Sequence, residues 1–274
     1  GSAVSVTLEY AYDDWCLYQQ ARRMGNDAKA REYRRRAMSY QNVFDPEIAF
    51  SRPRYADGHW KEPYSITHCT GEGYLEGNAM NYAFFVPHDV KGLIAQMGGD
   101  RKFIENIDRL FTTDLDPAAY AETEDVTAEG LIGTYNHGNE PCQNIPYMYA
   151  WSSQPWKTQY WVREVLNRMY RNNIDGLCGN DDCGQMSAWY ILAASGFHPL
   201  CPGLPEYEIT SPLFDRITYN LPSGKLFVIT ADRPSPDAIY IDTVTLNGEK
   251  LTGTAIPHST IINGGTLHFK LTEK

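Results

Sequence analysis

The character of this sequence changes at residues 196–200, and that change limits the possible folds more than any other feature. Before it, apolar residues recur at three- and four-residue intervals, which is typical of amphipathic helices. After it, short segments rich in Ile, Val, Thr, Tyr and Phe are separated by Ser-Gly, Asn-Gly and Asn-Gly-Gly turns, which is typical of strands. The sequence therefore predicts a mainly α protein that ends in a small β-sandwich-like segment. The predicted helices cover 5–25, 28–43, 76–97, 100–112, 117–129, 156–171 and 185–195, and the predicted strands cover 206–211, 215–220, 225–231, 238–246 and 266–272.

The first two predicted helices are expected to form a hairpin. Gly25 fits the C-terminal cap of the first, and Asn26-Asp27 fits the N-terminal cap of the second. The stretch 45–75 that follows is rich in Pro, Gly and aromatic residues, and it is longer than an ordinary connection between helices. Long ordered loops often carry function, so Arg52, Arg54 and Asp57 are candidates for substrate contact. Paired helices joined by long loops are typical of an α/α toroid.

Three dense polar clusters suggest a single binding site. They read GEGYLEGNAMNY at 71–82, YNHGNEPCQNIPY at 135–147 and CGNDDCGQMSAW at 178–189. Glycine lets the backbone approach a ligand, Asn and Glu supply oxygens and amides, and Tyr and Trp supply flat apolar surface. This mixture suits a sugar, and the 19 Tyr and 6 Trp of the chain supply more such rings than a core requires.

Charge and cysteine content exclude several other classes of protein. The formal net charge is −10, whereas nucleic acids and anionic membranes are bound by basic patches. Six cysteines are too few for a disulfide-dense scaffold in a chain of 274 residues, and no second Cys or His pair stands at zinc spacing beside Cys178 and Cys183. No apolar run approaches the length needed to span a bilayer.

Five longer motifs carry a resemblance to a known family. They are LEYAYDDW at 8–15, YLEGNAMNYAFFVPHDVKGLIAQMGG at 74–99, GNEP at 138–141 followed by PYMY at 146–149, PWKTQ at 155–159, and DGLCGNDDCGQMSAWYILAASGFHP at 175–199. With them the chain resembles the C-terminal part of glycoside hydrolase family 92, the calcium-dependent exo-acting α-mannosidases. The resemblance implies the C-terminal portion of an (α/α)6 catalytic domain over 1–199 and a β-sandwich-like module over 200–274. It also implies a missing N-terminal part that packs on this chain.

The resemblance also implies catalytic roles. Glu76 corresponds to the general acid and Asp182 to the general base of an inverting hydrolase, in which roughly 6.5–9.5 Å separates the two carboxyl groups so that water fits between them. Glu76 would have to stay protonated beside Tyr74, Tyr82 and Phe84. Without the resemblance, Glu76 fits a carboxylate in the first turn of a helix, and Asn180-Asp181-Asp182 fits a helix cap or an Asx turn.

A calcium site and a set of sugar-binding residues follow from the same resemblance. Calcium takes oxygen ligands, and the cluster around Asn139 and Asn144 is rich in them. The implied metal ligands are Glu140, Gln143 and Asp182. The implied substrate-binding residues are His137, Asn139, Glu140, Asn180, Trp156 and Lys157. Relatives that cut α-1,2 linkages have His directly before the Glu, where this chain has Asn139, so the linkage stays open.

Two readings from other classes stay open at this point. In one, the chain is a non-catalytic fragment that binds mannose or calcium without turnover. In the other, it keeps the toroid but acts as a trehalase-like or glucoamylase-like glucosidase, which would not need calcium at the scissile sugar. The family implies a mannose-containing glycan such as an N-glycan as the partner, a bacterial source, and export to the periplasm or cell surface.

Overall fold

The computed structural model describes residues 2–69, 73–115 and 130–274. Its backbone divides into two compact units, residues 1–145 and 146–274, each with its own internal contacts. This division lies elsewhere than the boundary between 199 and 200 that the resemblance implies. The latter concerns the domains of the family fold and stays a prediction.

The first unit is mainly helical. Its helices are α1 (Ala3–Arg23), α2 (Asp27–Arg36), α3 (Ala79–Tyr82), α4 (Val90–Gln96) and α5 (Asp100–Thr112). Two short hairpins accompany them, β1 (Phe44–Asp45) with β2 (Phe50–Ser51) and β3 (Leu131–Ile132) with β4 (Tyr135–Asn136). Turns of 3₁₀ helix cover Ser39–Val43, Pro87–Asp89 and Glu140–Cys142.

The predicted helical hairpin is confirmed. α1 packs against α2, Gly25 adopts a left-handed φ of 69°, and the Asn26 side chain accepts a hydrogen bond from Lys29 N at 3.1 Å. α2 is shorter than the predicted helix, which extended to residue 43. The Ser39 hydroxyl donates to the Arg36 carbonyl, so a side chain takes a bond that a continuing helix would use, and the chain tightens into a 3₁₀ turn.

The single helix predicted over 76–97 is wrong. Asn78 instead forms a capping box with Asn81, which starts α3 at Ala79 and leaves Glu76 outside any helix. α3 ends after one turn, and the chain resumes as a 3₁₀ turn at Pro87, a residue that cannot lie inside a continuous helix without breaking a backbone hydrogen bond. The helix predicted over 100–112 is confirmed by α5. The helix predicted over 117–129 lies outside the described residues.

The second unit combines helices with two sheets. Its helices are α6 (Ile145–Met148, which begins at the division), α7 (Trp156–Met169), α8 (Gln185–Ala194) and α9 (His258–Ile262), with a 3₁₀ turn over Tyr149–Trp151. Its strands are β5 (Phe197–His198), β6 (Glu206–Ile209), β7 (Arg216–Asn220), β8 (Leu226–Asp232), β9 (Tyr240–Leu246), β10 (Glu249–Lys250), β11 (Ala255–Pro257) and β12 (Gly265–Thr272). The predicted helices over 156–171 and 185–195 and the five predicted strands are all found.

The strands form a five-stranded sheet in the order β10-β9-β12-β8-β7 and a three-stranded sheet in the order β11-β6-β5. β12 runs parallel to β8 and antiparallel to β9. Alternate residues of β12, including Leu267 and Phe269, are buried, and they share one apolar core with Phe197, Ile209 and Ile256 of the smaller sheet. The predicted class, mainly α with a β-sandwich-like segment, is confirmed.

None of the helices that the structure describes is long and apolar enough to cross a membrane.

Candidate active site

In the first unit, the segment 73–78 that carries Glu76 is fixed by bonds from separate parts of the chain. The amides of Val4 and Ser5, in the first turn of α1, donate to the Gly73 carbonyl at 2.9 and 3.2 Å. The Ser5 hydroxyl accepts a hydrogen bond from Leu75 N at 2.9 Å. The first turn of a helix has backbone N–H groups without intrahelical partners, and here two of them bind this loop.

Glu76 itself has a left-handed backbone, with φ of 55°. Residues other than glycine rarely adopt the left-handed region, because Cβ crowds the following carbonyl. Those that do are concentrated at functional sites. The Asn139 side-chain amide donates to the Glu76 carbonyl at 2.8 Å and stabilises the conformation. Asn139 is 3% exposed, whereas Glu76 is partly exposed.

Asn78 and Asn81 connect the Glu76 segment to the second polar cluster. The Asn78 amide donates to the Thr134 hydroxyl at 3.1 Å, and the Asn81 amide donates to the Thr134 carbonyl at 2.6 Å. Thr134 lies in the turn between β3 and β4, and the cluster at 135–145 follows directly. Two polar regions that are more than 50 residues apart in sequence therefore meet in one place within this unit.

His137, a predicted substrate-binding residue, is fully buried. Its Nδ1 lies 2.8 Å from the Tyr135 hydroxyl, and its carbonyl accepts a hydrogen bond from Gln143 Nε2 at 3.0 Å. Its substrate-binding role stays a prediction, and the contacts seen for the ring and the carbonyl organise the loop. Glu140 is exposed at the start of a 3₁₀ turn.

Two asparagines lie beside Glu140 and Gln143, two of the three predicted calcium ligands. The side chains of Asn136 and Asn144 are 1% and 9% exposed, and within the described residues neither their amide oxygens nor their amide nitrogens have a hydrogen-bond partner. Buried amide oxygens without partners are groups that a hard cation or an ordered water would satisfy. Among the described residues, no group of three or more His, Cys, Asp or Glu is arranged to hold a metal. A calcium site at this cluster would therefore depend on amide and backbone oxygens as well as on Glu140.

In the second unit, the acidic turn leads into α8. The Asp181 side chain binds the first turn of this helix, three residues before the N-cap Gly184: its Oδ1 accepts from Ser187 N and its Oδ2 from the Ser187 hydroxyl, both at 2.9 Å. The next three residues all have left-handed φ, 40° at Asp182, 60° at Cys183 and 89° at Gly184. Asp181 supplies these bonds to the helix. The next residue, Asp182, is exposed on a strained turn, beside the exposed Asn180.

Trp156 and Lys157 lie at the start of α7. The Trp156 ring is 47% exposed and meets Tyr240 of β9 edge to face, with 6.0 Å between ring centroids. Both rings line a cavity of about 620 Å³, together with Gln159. The Lys157 ammonium lies 5.6 Å from the Tyr149 ring and 5.7 Å from the Trp156 ring.

Comparison with known proteins gives the classification. The model of the glycosyl hydrolase family 92 catalytic domain matches residues 1–273. The chain belongs to glycoside hydrolase family 92. The resemblance read from the five motifs is thus confirmed across the chain.

Solved structures of this family share the fold. The GH92 α-mannosidase BT3965 of Bacteroides thetaiotaomicron superposes with a TM-score of 0.90 at 39% identity, over 99% of this chain and 34% of that one. A complex of BT3965 with mannoimidazole gives a TM-score of 0.91. The GH92 inverting mannosidase BT2199 of the same species gives 0.88 at 36% identity, over 100% of this chain and 38% of that one.

A fungal relative is more distant. An uncharacterized secreted glycosidase of Arthroderma benhamiae is 28% identical over 295 residues, which is 98% of this chain and 35% of the fungal protein. The chain thus spans little more than a third of the length of these relatives.

Several residues that organise this candidate site had no signal in the sequence. Ser5 lies in a helix 70 residues from Leu75, and its hydroxyl is one of many in the chain. Thr134 stands outside the three polar clusters. Asn78 and Asn81 had a usable signal, because Asn three residues before another polar amide fits a capping box, but the apolar periodicity of 76–97 outweighed it.

Proposed function

We propose that this chain carries the catalytic carboxylates of a calcium-dependent, exo-acting α-mannosidase that acts with inversion. One observation supports this most strongly. Across the described residues, only five positions other than glycine have positive φ, and both Glu76 and Asp182 are among them. Strained backbone at two carboxylates predicted independently as acid and base is the pattern expected of preorganised catalytic groups. Solved relatives at 36–39% identity include α-mannosidases.

In the proposed reaction, Glu76 donates its proton to the glycosidic oxygen as the bond from that oxygen to the anomeric carbon breaks. Asp182 accepts a proton from the water whose oxygen forms the new bond to the anomeric carbon from the opposite face. The products are mannose with inverted configuration and a free hydroxyl on the remaining glycan. The bond from Asn139 fixes the backbone of the acid, and the bonds that Asp181 accepts fix the turn that carries the base.

Calcium is proposed to be held by Glu140, Gln143 and Asp182. In the first unit, the buried and unpartnered amide oxygen of Asn144 fits the preference of calcium for oxygen ligands. When bound, such a cation would coordinate neighbouring hydroxyl groups of the sugar. Gln143 is well suited to contribute its carbonyl oxygen, because its amide nitrogen already donates to the His137 carbonyl.

The proposed substrate is a glycan with a terminal α-linked mannose, with an N-glycan in a bacterial setting as the specific case. Sugar contact is proposed for His137, Asn139, Glu140, Asn180, Trp156 and Lys157. The remaining length of the relatives supports the proposal that an N-terminal part of the same polypeptide packs on this chain. Export to the periplasm or cell surface is proposed in part because the fungal relative is described as secreted.

The test is hydrolysis of an α-mannoside by the 274-residue chain and by the full-length protein, with calcium or with a chelator. On a mannoside with an unactivated leaving group, such as α-mannobiose, Glu76→Gln and Asp182→Asn should each lower turnover by about 10²–10⁴-fold, the usual contribution of a general acid or base. NMR of the initial product should give the β anomer of mannose. The matched controls are Glu105→Gln and Asp242→Asn, two exposed carboxylates, one in each unit.

Three results would contradict parts of this proposal. Undiminished turnover of a mannoside with an unactivated leaving group in either site variant rejects that residue's role, and turnover insensitive to chelation rejects calcium. Hydrolysis of α-glucosides in place of α-mannosides would support the glucosidase reading.

The length of the relatives favours one second candidate, a fragment that binds mannose or calcium without turnover. Activity restricted to the full-length protein, with mannose binding retained by the 274-residue chain, would support it.

A further inference from the structure

We propose that Tyr74 is a positioning residue for Glu76, and that its hydroxyl holds the acid in place by binding a loop anchored on Arg52. The inference rests on the proposed role of Glu76 as general acid. Tyr74 lies two residues before Glu76 and is 3% exposed, and Arg52 is 8% exposed. It assigns a function to residues 45–64, the first part of the long stretch at 45–75, in which Arg52, Arg54 and Asp57 were candidates for substrate contact.

Arg52 is the anchor of that loop, because its guanidinium bonds to residues near both of its ends. Its Nη1 donates to Asp45 Oδ2 at 2.9 Å, and Asp45 is fully buried. Its Nε and Nη2 donate to the Lys61 carbonyl at 3.2 and 2.8 Å, and Nη2 also pairs with Glu62. Because the guanidinium is planar and uses several donors at once, it holds Asp45 at one end of the loop and Lys61 and Glu62 at the other in a fixed arrangement.

The same guanidinium determines where Tyr64 lies. Its central carbon lies 4.9 Å from the centroid of the Tyr64 ring, a cation–π contact. The Tyr64 hydroxyl lies 2.9 Å from the Ser51 carbonyl, which belongs to β2 next to Arg52. The tyrosine therefore cannot move without disturbing the anchor.

Tyr64 and Tyr74 meet at their hydroxyl groups. Their oxygens are 2.7 Å apart, and the Tyr74 hydroxyl also donates to the Ser51 carbonyl. Two hydroxyl protons serve a triangle of three oxygens, so at most two of the three contacts are hydrogen bonds at any moment. Removing either hydroxyl leaves the remaining oxygens with one proton and loosens the whole triangle.

Tyr74 carries this constraint to Glu76 through two residues of backbone. On either side of Tyr74, the Gly73 carbonyl and Leu75 N are bound by the first turn of α1, and beyond them the Glu76 carbonyl is bound by Asn139. Glu76 holds a left-handed φ of 55° that its side chain does not favour. Persistent strain requires that the surroundings determine the backbone, and the buried Tyr74 is one of these anchors.

Leaving-group chemistry separates a misplaced acid from a damaged fold. A natural mannoside releases an alkoxide that must be protonated, so its hydrolysis depends on the placement of Glu76. A 2,4-dinitrophenyl α-mannoside releases a stable phenolate that needs no proton, so its hydrolysis does not. Loss of the acid or of its placement should slow the first substrate and spare the second.

The experiment measures kcat and KM of the full-length enzyme on α-mannobiose and on 2,4-dinitrophenyl α-mannoside, for wild type, Glu76→Gln, Tyr74→Phe and Tyr64→Phe. We expect Tyr74→Phe to lower kcat on mannobiose roughly 10-fold, with KM within about 2-fold, because a small misplacement of a reacting group costs rates of this order or more. On the dinitrophenyl substrate the change should stay within about 2-fold. Tyr64→Phe should behave alike, and the double variant should lose no more than either single one.

The matched control is Tyr40→Phe. Tyr40 is 1% exposed in the same unit, and its hydroxyl donates to Asp89 Oδ2 at 2.7 Å, away from the Glu76 segment. It should cost stability without changing the ratio of the two rates. Should Tyr74→Phe fail to fold, Tyr64→Phe carries the test, because it removes a hydroxyl from the same triangle.

Two results would overturn the inference in distinguishable ways. If Glu76→Gln shows the leaving-group selectivity and both tyrosine variants slow the two substrates equally, the acid stands and the positioning role is rejected. If Glu76→Gln itself slows both substrates equally, the assignment of the acid fails, and the inference fails with it.

Discussion

Left-handed backbone is what Glu76 and Asp182 share at the scale of single residues. The two residues lie more than 100 positions apart, in different units. At each of them, a hydrogen bond between a side chain and the backbone holds the local segment. Asn139 does this for Glu76 and Asp181 does it for the turn at Asp182. Positive φ is unfavourable for Glu76, and this observation motivates its proposed catalytic role.

A third carboxylate, Glu208 on β6, has an unusual environment outside the proposed site. It is 6% exposed, and Trp151 Nε1 donates to its Oε1 at 2.8 Å. Burial raises the pKa of Glu208 to about 7, and the charge of Glu206 adds to the rise, against lowering by hydrogen bonds from Trp151 and Thr254. The folded protein therefore binds this proton more tightly than the unfolded chain does.

This raised pKa predicts stability that falls as pH rises. The unfolded carboxyl ionises near its ordinary value of 4.5 and the folded one near 7, so the free energy of unfolding declines between these values and levels off above them. The contribution is about 3 kcal/mol. Glu208→Gln should raise the melting temperature more at pH 8 than at pH 5. The exposed control Glu249→Gln should change the melting temperature equally at the two pH values. Equal shifts for Glu208→Gln would contradict the prediction.

At the scale of elements, helix α8 depends on one side chain. Asp181 accepts two hydrogen bonds from Ser187, while Asp182 lies exposed on the same turn. We expect Asp181→Ala to lower the free energy of unfolding by about 1–2 kcal/mol, as for the loss of a helix cap. Asp182→Asn should change it by less than about 0.5 kcal/mol, as for most exposed positions. Urea denaturation of both variants measures the difference, and similar losses for the two would reject the division of roles.

The long loop at 45–64 depends on Arg52 in the same way. Arg52→Met would leave Asp45 buried without its cation, so we expect a loss of about 3–5 kcal/mol in the free energy of unfolding. The double variant Asp45→Asn, Arg52→Met should recover part of it, because no buried charge remains unpaired. Arg101→Met provides the comparison, since that side chain is 81% exposed and pairs with Glu105 on the surface. A cost for Arg52→Met as small as that of Arg101→Met would show that the anchor contributes little.

The sequence located most elements and missed specific breaks. Helices α1, α5, α7 and α8 and the main strands were predictable because apolar periodicity reports which face is buried. The break between α3 and α4 was missed, because the apolar residues at 83–86 outweighed the signals of Asn78 and Pro87, which set the helix ends. For the candidate site, local motifs led to the prediction of Glu76 and Asp182, which stays a prediction, whereas Ser5, Thr134 and Tyr64 make contacts that no local pattern encodes.

At the scale of the whole molecule, the net negative charge argues against polyanions as partners. The chain has 34 acidic and 24 basic residues and a sequence pI of about 5.2. Its one locally basic run, residues 31–36, lies on α2, where Arg36 pairs with Asp14 and Glu32. A net charge of −10 repels polyanions at long range.

We therefore expect no retention on heparin and no binding of duplex DNA at pH 7 and 0.05 M salt, and retention on an anion exchanger. Chromatography on both matrices checks this directly. Binding to heparin would show that the α2 arginines act as a local anion site despite the overall charge.

The sequence by itself determined the class of fold, the order of the elements, the family and the two carboxylates proposed for catalysis, because each depends on periodicity or on motifs read along the chain. Only the tertiary structure decided the left-handed backbone of Glu76, the burial of Arg52 against Asp45, the meeting of Tyr64 with Tyr74, and the environment of Glu208. These features depend on groups far apart in the chain, whose approach is determined by packing and not by local propensity.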